Sequence, residues 1–203
     1  MDNAGSGSIE ELELENERLA RLNQIYLLIV SRYKDYIEEK EEIAVAELPR
    51  LVTPSSPLVA KKSEEIQNSI EGYFYEQNFK EASIAAFNFV EKNVEQITLP
   101  LQFWLNPDDT LTFTAGDSMD RNILLCSLLI ALGNPSARVL VFMGVADKAI
   151  RVYYEFNDTY TMFDLSSCGV GEYQSKEEML AQFSITDDTT TYEFNDQVYV
   201  DIE

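Results

Sequence analysis

Histidine is absent from this sequence of 203 residues. Without an imidazole, the chain cannot build a Ser/His or Cys/His catalytic pair or a metal site that uses histidine. Cysteine is almost as scarce. Cys126 and Cys168 are too few for a disulfide scaffold or a thiolate zinc site, and this usage is typical of a reducing compartment. We therefore expect a cytoplasmic protein that has no metal and no other cofactor.

Basic residues and long apolar runs are also lacking. There are 15 Lys and Arg against 36 Asp and Glu, a formal net charge of −21, which repels phosphate backbones and anionic lipids. The longest nearly apolar run, residues 123–132, is about half of the ~20 residues that span a bilayer. The first residues lack a basic region followed by an apolar run. We expect no nucleic acid, membrane or export, and a protein or peptide partner of basic character.

The first 48 residues differ in composition from the rest. A flexible Gly/Ser tail precedes a stretch from Ile9 to about Glu47 without Gly or Pro, which predicts one long helix with Ser8 as its N-cap. Apolar residues recur there in a heptad pattern. However, residues 25–30 are apolar on all sides, which disfavours an exposed two-stranded coil. Two alternatives stay open: a homotypic coiled coil through residues 9–47, or a helix packed on its own domain.

Prolines divide this segment from the remainder. Residues 49–57 carry three of them and are predicted to be a linker, so that residues 58–203 form the main domain. Periodicity there predicts helices first and an antiparallel sheet afterwards. The predicted helices are 58–77, 80–96, 118–132 and 176–183, with irregular chain at 99–115, and the predicted strands are 138–143, 150–156, 160–165, 190–194 and 197–202.

Several segments within this domain match known motifs in a fixed order. Residues 106–110 (NPDDT) lead into 116–120 (GDSMD), and a Leu-rich helix and a strand follow at 124–139. Residues 151–156 (RVYYEF) and 162–165 (MFDL) come next. Together they resemble the Pro-X-X-Thr, Gly-Asp-Cys-X-Asp, Leu-rich helix, His-X-(Trp/Tyr)-Val-Glu-Val and Asp-bearing strand of the transglutaminase-like superfamily, which has the papain-related fold.

The resemblance covers about residues 58–170 and implies an α+β fold. Helices would pack on an antiparallel sheet, here preceded by the long N-terminal helix. In the family, a Cys at the start of the helix is the nucleophile, a His is its base and an Asp orients the His. The matching positions are Ser118, Arg151 and Asp164, so the resemblance implies a degenerate triad.

The chemistry of these three residues predicts no catalysis. A helix N-terminus contributes only ~0.3–2 kcal/mol, and one pKa unit already corresponds to ~1.4 kcal/mol, so it cannot ionise the Ser118 hydroxyl at neutral pH. Arg151 stays protonated up to about pH 12 and cannot accept the proton. We therefore expect that the chain is not an enzyme and that Ser118 caps the helix or donates a hydrogen bond. Arg151 either pairs with Asp164 or points to solvent.

The expected function is therefore that of a catalytically inactive domain that binds a protein or peptide or acts as an assembly module. Trp104, Asp117, Asp120 and Tyr153 are the candidate residues of its cleft. The alternative is a weak amidase or peptidase that uses Ser118 or a free thiol.

Neither the acidic residues nor the cysteines suggest a metal site. Asp108, Asp109, Asp117, Asp120 and Asp147 lack the spacing of a calcium loop. The cysteines are expected in different surroundings, because one lies among leucines in the predicted helix and the other in a Ser/Gly-rich loop.

Overall fold

The computed structural model describes residues 6–41, 45–101, 103–144, 147–183, 185–186 and 188–202. The chain divides into two compact units, of which the smaller comprises Met1–Glu42 and Leu99–Phe103. Two helices form the described part of that unit before residue 42, α1 (Ser6–Arg32) and α2 (Lys34–Glu41). The predicted single helix is therefore interrupted at Tyr33. Because α1 already begins at Ser6, Ser8 lies inside it and is not its N-cap.

The start of the larger unit includes the end of the predicted long helix and residues 49–57, which we expected to be a linker. Val45–Leu51 instead forms a 3-10 helix, and the apolar residues Leu48 and Val52 are buried in the main core. The Thr53 amide donates a hydrogen bond to Ser127 Oγ at 3.1 Å. The proline-containing stretch thus packs onto the domain through buried apolar side chains and this hydrogen bond.

Helices α3 (Pro57–Asn68) and α4 (Tyr75–Asn93) follow. Helix α3 ends before its predicted end at residue 77, and α4 begins before its predicted start at residue 80. Gly72 has φ +65°, a left-handed conformation that suits glycine, and it lies in the turn between them. Helix α5 (Pro107–Phe113) replaces the predicted irregular chain. The Asn106 side chain accepts a hydrogen bond from the Asp109 amide at 2.9 Å, and Pro107 fits the first helical turn.

Helix α6 (Ser118–Ala131) lies at the centre of the larger unit. Residues 119–129 are all buried, and they include the polar residues Asp120, Arg121, Asn122 and Ser127. It begins with a reciprocal capping box between Asp117 and Asp120. It ends before Gly133, whose φ is +109°.

The sheet has six antiparallel strands in the order β6-β5-β4-β3-β7-β8. The strands are β3 (Arg138–Met143), β4 (Lys148–Phe156), β5 (Thr159–Asp164), β6 (Gly169–Tyr173), β7 (Thr190–Phe194) and β8 (Tyr199–Asp201). A short helix, α7 (Lys176–Leu180), follows β6, and β1 (Glu95–Gln96) pairs with β2 (Ala115–Gly116) in parallel. As predicted, β4 and β5 form a hairpin, whose turn residues Asn157 and Asp158 both have positive φ.

The two faces of the sheet carry different side chains. Val152 and Tyr154 of β4 belong to the main core with α4 and α6, whereas Tyr153 belongs to a smaller cluster with Leu140 and Met179. The predicted class is confirmed: the chain has an α+β fold with helices packed on an antiparallel sheet and an N-terminal helix. Within the described ranges, every helix is too short or too polar to cross a membrane.

Candidate functional site

Arg151 and Asp164 form an ion pair across strands β4 and β5. The register that pairs Val152 with Phe163 places Arg151 directly opposite Asp164. Arg151 Nη2 lies 2.7 Å from Asp164 Oδ2, and the two side chains are 18% and 17% exposed. The structure therefore pairs Arg151 with Asp164, and the alternative in which Arg151 points freely to solvent does not occur.

Asp164 is also bound by the turn that follows it. Its Oδ1 accepts hydrogen bonds from the Ser166 amide and hydroxyl at 2.8 and 2.6 Å, and its Oδ2 accepts one from the Ser167 hydroxyl at 2.6 Å. Partial burial raises the pKa of Asp164, but these hydrogen bonds and the Arg151 charge outweigh it and hold the pKa below its usual value. The carboxylate is thus ionised and fixes the turn at 165–168, in which Cys168 has φ +56°.

Ser118 is the first residue of α6 and is half-buried. In the described part of the chain, its hydroxyl makes no hydrogen bond to Arg151, to Asp164 or to any other group. Strand alternation places Arg151 on the Tyr153 face of β4, whereas α6 packs against the Val152 and Tyr154 face. The structure brings two of the three predicted positions together, and among the described residues neither of them forms a hydrogen bond with the third.

Two of the predicted cleft residues, Asp117 and Asp120, cap α6. Asp117 Oδ1 accepts from the Asp120 amide, and Asp120 Oδ2 accepts from the Asp117 amide, both at 2.9 Å. Asp120 Oδ1 also accepts from the Leu105 amide at 2.9 Å, which ties the segment carrying Trp104 to this helix end. Trp104 itself is half-buried against the main core. Burial and the neighbouring Asp117 charge raise the pKa of Asp120 to about 6, although the two amide donors oppose this.

Tyr153 is placed differently from our expectation. It is 2% exposed, and its hydroxyl donates to Glu193 Oε2 at 2.6 Å within the smaller cluster. Lys176 and Arg138 also approach that carboxylate, at 2.7 and 3.6 Å. Burial and the Glu193 charge raise the pKa of Tyr153 above its ordinary value. Tyr153 is therefore a buried partner of Glu193.

A cavity of about 560 Å³ opens at the end of α4, outside the three positions implied by the resemblance. Glu91, Lys92, Glu95 and Gln96 line one side, and Arg121 of α6 lines another. Leu165 and Cys168, from the turn that Asp164 holds, complete the wall. We refer to this space as the Arg121 cavity.

The Arg121 guanidinium is the most unusual group of this cavity. Arg121 is 5% exposed, and its Nε has no hydrogen-bond partner among the described residues. Its Nη1 donates to Gln96 Oε1 at 2.9 Å, and its Nη2 reaches the Val90 and Glu91 carbonyls at 3.4 Å. Burial lowers the pKa of Arg121, partly opposed by the Glu91 charge, yet a guanidinium remains protonated.

Cys168 lies at the mouth of the Arg121 cavity. It is exposed, and its thiol donates to Glu91 Oε1 at 3.5 Å. Desolvation and the Glu91 carboxylate raise the pKa of this thiol, while Arg121 opposes the shift. Sequence reasoning identified Cys168 as a loop thiol but did not group it with Arg121. The sequence signal for this grouping was Arg121, a single arginine in a leucine-rich helix, and we did not include it among the candidate site residues.

Metal binding has no support in the described ranges, where no three acidic or thiol side chains converge on one point. Three of the five aspartates that we considered as metal ligands have other partners. Two of them cap α6, and the amide and carboxylate of Asp109 form hydrogen bonds with Asn106.

Comparison with solved structures shows the class of fold. LapG from Legionella pneumophila is similar, with 15% identity and a TM-score of 0.50, over 77% of this chain and 87% of that chain. A candidate cysteine protease from Cytophaga hutchinsonii has 17% identity and a TM-score of 0.46, over 75% of this chain and 50% of that one. No protein-family model and no curated protein matches the sequence. The chain thus has a papain-related, transglutaminase-like fold.

The similarity to LapG overturns our prediction that the chain is not an enzyme. The absence of histidine excludes an imidazole base. It does not exclude enzymes as a class, because hydroxyl, thiol and carboxylate groups are all present. At these identities, the comparisons show the fold alone.

Proposed function

We propose that this transglutaminase-like domain binds a protein or peptide and that the Arg121 cavity is its recognition site. The observation that carries the proposal is the 2.7 Å ion pair between Arg151 and Asp164. The pair occupies the two positions where the resemblance implies a base and the acid that orients this base. Each of the two charges is neutralised by the other. The Asp164 member of the pair holds the turn at 165–168, and this turn forms one wall of the cavity.

The shape and lining of the cavity support recognition of a polar chain. Its volume of about 560 Å³ is within the range of ligand sites. Carboxylates, an ammonium, amides and a buried guanidinium converge on it, so a peptide backbone would find both donors and acceptors. The net charge of −21 favours a partner of basic character, which would be attracted over a distance of several ångströms.

Selective alkylation of Cys168 tests the proposal. Cys168 is exposed, whereas Cys126 is buried and its thiol pKa is raised by burial, so N-ethylmaleimide will modify Cys168. We expect proteins retained by the immobilised full chain to be lost after this treatment. A Cys168→Ala chain treated in the same way is the matched control and will keep them. Retention that is insensitive to the adduct, or no retention by the untreated chain, contradicts the proposal.

Hydrolysis of an amide is a second candidate function, favoured by the exposed thiol in the same cavity. Cys168 lies 3.5 Å from the Glu91 carboxylate and near the Arg121 charge. Because the pKa of the thiol is raised, the thiolate fraction is small at neutral pH, and any rate will increase with pH. Turnover of a peptide amide that is lost in Cys168→Ala and kept in Cys126→Ala would support it. Labelling of Ser118 by a fluorophosphonate, lost in Ser118→Ala, would instead assign the reaction to the hydroxyl.

A further inference from the structure

The charge of Arg121 is buried and only partly compensated by the charge of Glu91. The described residues supply no carboxylate in an ion pair with it, although Glu91 and Glu95 line the same cavity. Glu91 instead accepts from the Cys168 thiol. A buried cation that forms no ion pair is costly, because the charge loses its hydration without gaining a close partner.

The existing partners of Arg121 compensate this charge only in part. Gln96 offers a neutral amide oxygen, and the Val90 and Glu91 carbonyls lie at 3.4 Å, which is long for a hydrogen bond. These carbonyls belong to the last turn of α4, whose partial negative charge amounts to about half an elementary charge. The unpartnered Nε adds an unused donor on the same group. The cavity therefore presents a cation that an anionic ligand would neutralise.

We propose that the Arg121 cavity binds the carboxylate of a peptide ligand, with the Arg121 guanidinium as its anchor. A carboxylate is planar and accepts two parallel hydrogen bonds from a guanidinium, which makes this pairing stronger than one with a neutral amide. The inference rests on the proposed binding function and specifies which group of the ligand enters the cavity. The carboxylate belongs either to the end of a chain or to an acidic side chain.

The charged residues that line the cavity indicate which residues of the ligand lie next to its carboxylate. Glu91 and Glu95 are both on the rim, with Lys92 as the only other charged residue of that segment. Their negative charges favour basic residues next to the ligand carboxylate and disfavour an acidic run. A basic peptide that carries a single carboxylate thus matches the anchor and the rim together.

Three peptides distinguish the sources of the carboxylate. Acetyl-Lys-Lys-Ala with a free C-terminus presents a chain end, acetyl-Lys-Lys-Glu-amide presents a side chain, and acetyl-Lys-Lys-Ala-amide presents neither. Each is titrated into the full, isotopically labelled chain while the Arg121 Nε–H signal and the Gln96 amide signals are followed by NMR. We expect one of the first two to shift these signals with an affinity about tenfold or more above that of the third, as for loss of one charge-assisted hydrogen bond.

Variants separate the anchor from general charge. Arg121→Lys keeps the charge but removes the paired donors, so the preference for the carboxylate peptides will fall towards unity. Arg50→Gln is the matched control, because Arg50 is an exposed residue of the same domain, 79% accessible in its side chain. Glu91→Gln, which leaves Arg121 intact, will strengthen carboxylate binding by removing a competing charge.

The outcomes separate this inference from the proposed function. Equal shifts with all three peptides overturn the carboxylate inference and leave the cavity as the binding site. If none of the peptides shifts the cavity signals, the carboxylate inference is also overturned, and the Cys168 alkylation experiment decides on the proposed function independently.

Discussion

Arg151 stands directly across the β4–β5 ladder from Asp164, with 2.7 Å between Nη2 and Oδ2. The resemblance implies a histidine and an aspartate at these positions, where a proton would be shared. Here, both groups carry fixed charges, and Asp164 also binds Ser166 and Ser167. The same location in the fold therefore determines the shape of a turn and, through it, the wall of the Arg121 cavity.

Asp164 will contribute more to stability than Arg151. Asp164→Ala removes the ion pair and four hydrogen bonds from the following serines, and it leaves Arg151 without its ion-pair partner, so we expect a loss of about 2–3 kcal/mol in the free energy of unfolding. Arg151→Met leaves Asp164 bonded to the serines and will cost about 1 kcal/mol. Urea denaturation measures both. An equal or larger cost for Arg151→Met would contradict the turn-holding role of Asp164.

The exposed pair Arg50–Glu47 provides the control for that comparison. Its side chains are 79% and 42% exposed. Removal of Arg50 by substitution with Gln is expected to change the free energy of unfolding by about 0–1 kcal/mol, because solvent screens a surface pair.

Asp120 will make the stability of the fold dependent on pH. Its pKa is about 6 in the folded chain against an ordinary value of 3.8, so the folded state holds a proton that the unfolded chain releases. Its stabilising contribution is complete below the ordinary pKa and is lost as pH rises through about 6. Asp120→Asn stays uncharged at every pH. The stability of the wild type relative to this variant is expected to fall between about pH 4 and pH 7, by up to about 3 kcal/mol.

Urea midpoints at several pH values measure this difference directly. A difference between the wild type and Asp120→Asn that does not change over this range would show that Asp120 is ionised in the folded chain. The capping box with Asp117 would then be the dominant influence on its pKa.

Tyr153 is expected to affect stability and not ligand binding. Tyr153→Phe removes the 2.6 Å hydrogen bond to Glu193, a carboxylate that is 3% exposed, and will cost about 1.5–3 kcal/mol. Tyr160→Phe is the control, because its bond to Glu155 is exposed and its loss will cost about 0.5 kcal/mol or less. Loss of partner binding in a folded Tyr153→Phe chain would show that Tyr153 belongs to the binding site after all.

The N-terminal helices carry a separate prediction, that residues 9–47 mediate self-association. Several heptad positions of α1 are exposed apolar side chains, among them Leu19, Tyr26 and Ile29. We expect the mass of the full chain, measured by sedimentation, to rise from monomer towards dimer with concentration. A monomer at high concentration would remove the coiled-coil alternative.

Local sequence predicted five of the six strands, because each strand depends on its own pattern, but it missed β6, whose Gly-rich segment we interpreted as a loop. The bounds of β3 agree with the prediction, and the β4–β5 turn follows from Asn157-Asp158. Helix α5 was missed because we interpreted residues 99–115 as irregular chain, whereas Asn106-Pro107 within them is a helix start with an N-cap and a proline in its first turn. The packing of the segment at 49–57 was missed because it involves α6, far along the chain, where Ser127 accepts a hydrogen bond from Thr53.

Only the part of the site that lies on one pair of adjacent strands was predictable from the sequence. Arg151 and Asp164 lie on adjacent strands, so their pairing follows from register. Tyr153 was misplaced because its partner, Glu193, lies on another strand, 40 residues away. The Arg121 cavity joins the end of α4, the start of α6 and the β5–β6 turn, and no local pattern indicates that these three segments meet.

Protection of Cys168 tests the central claim, that the Arg121 cavity is the binding site, most directly. The rate of Cys168 alkylation by N-ethylmaleimide is measured by mass spectrometry in the full chain, with and without a saturating ligand identified by retention or by the peptide titrations. Ligand in the cavity is expected to slow the reaction by about tenfold or more, because the thiol lies at the cavity mouth. An unchanged rate while the ligand stays bound would place binding elsewhere and contradict the account.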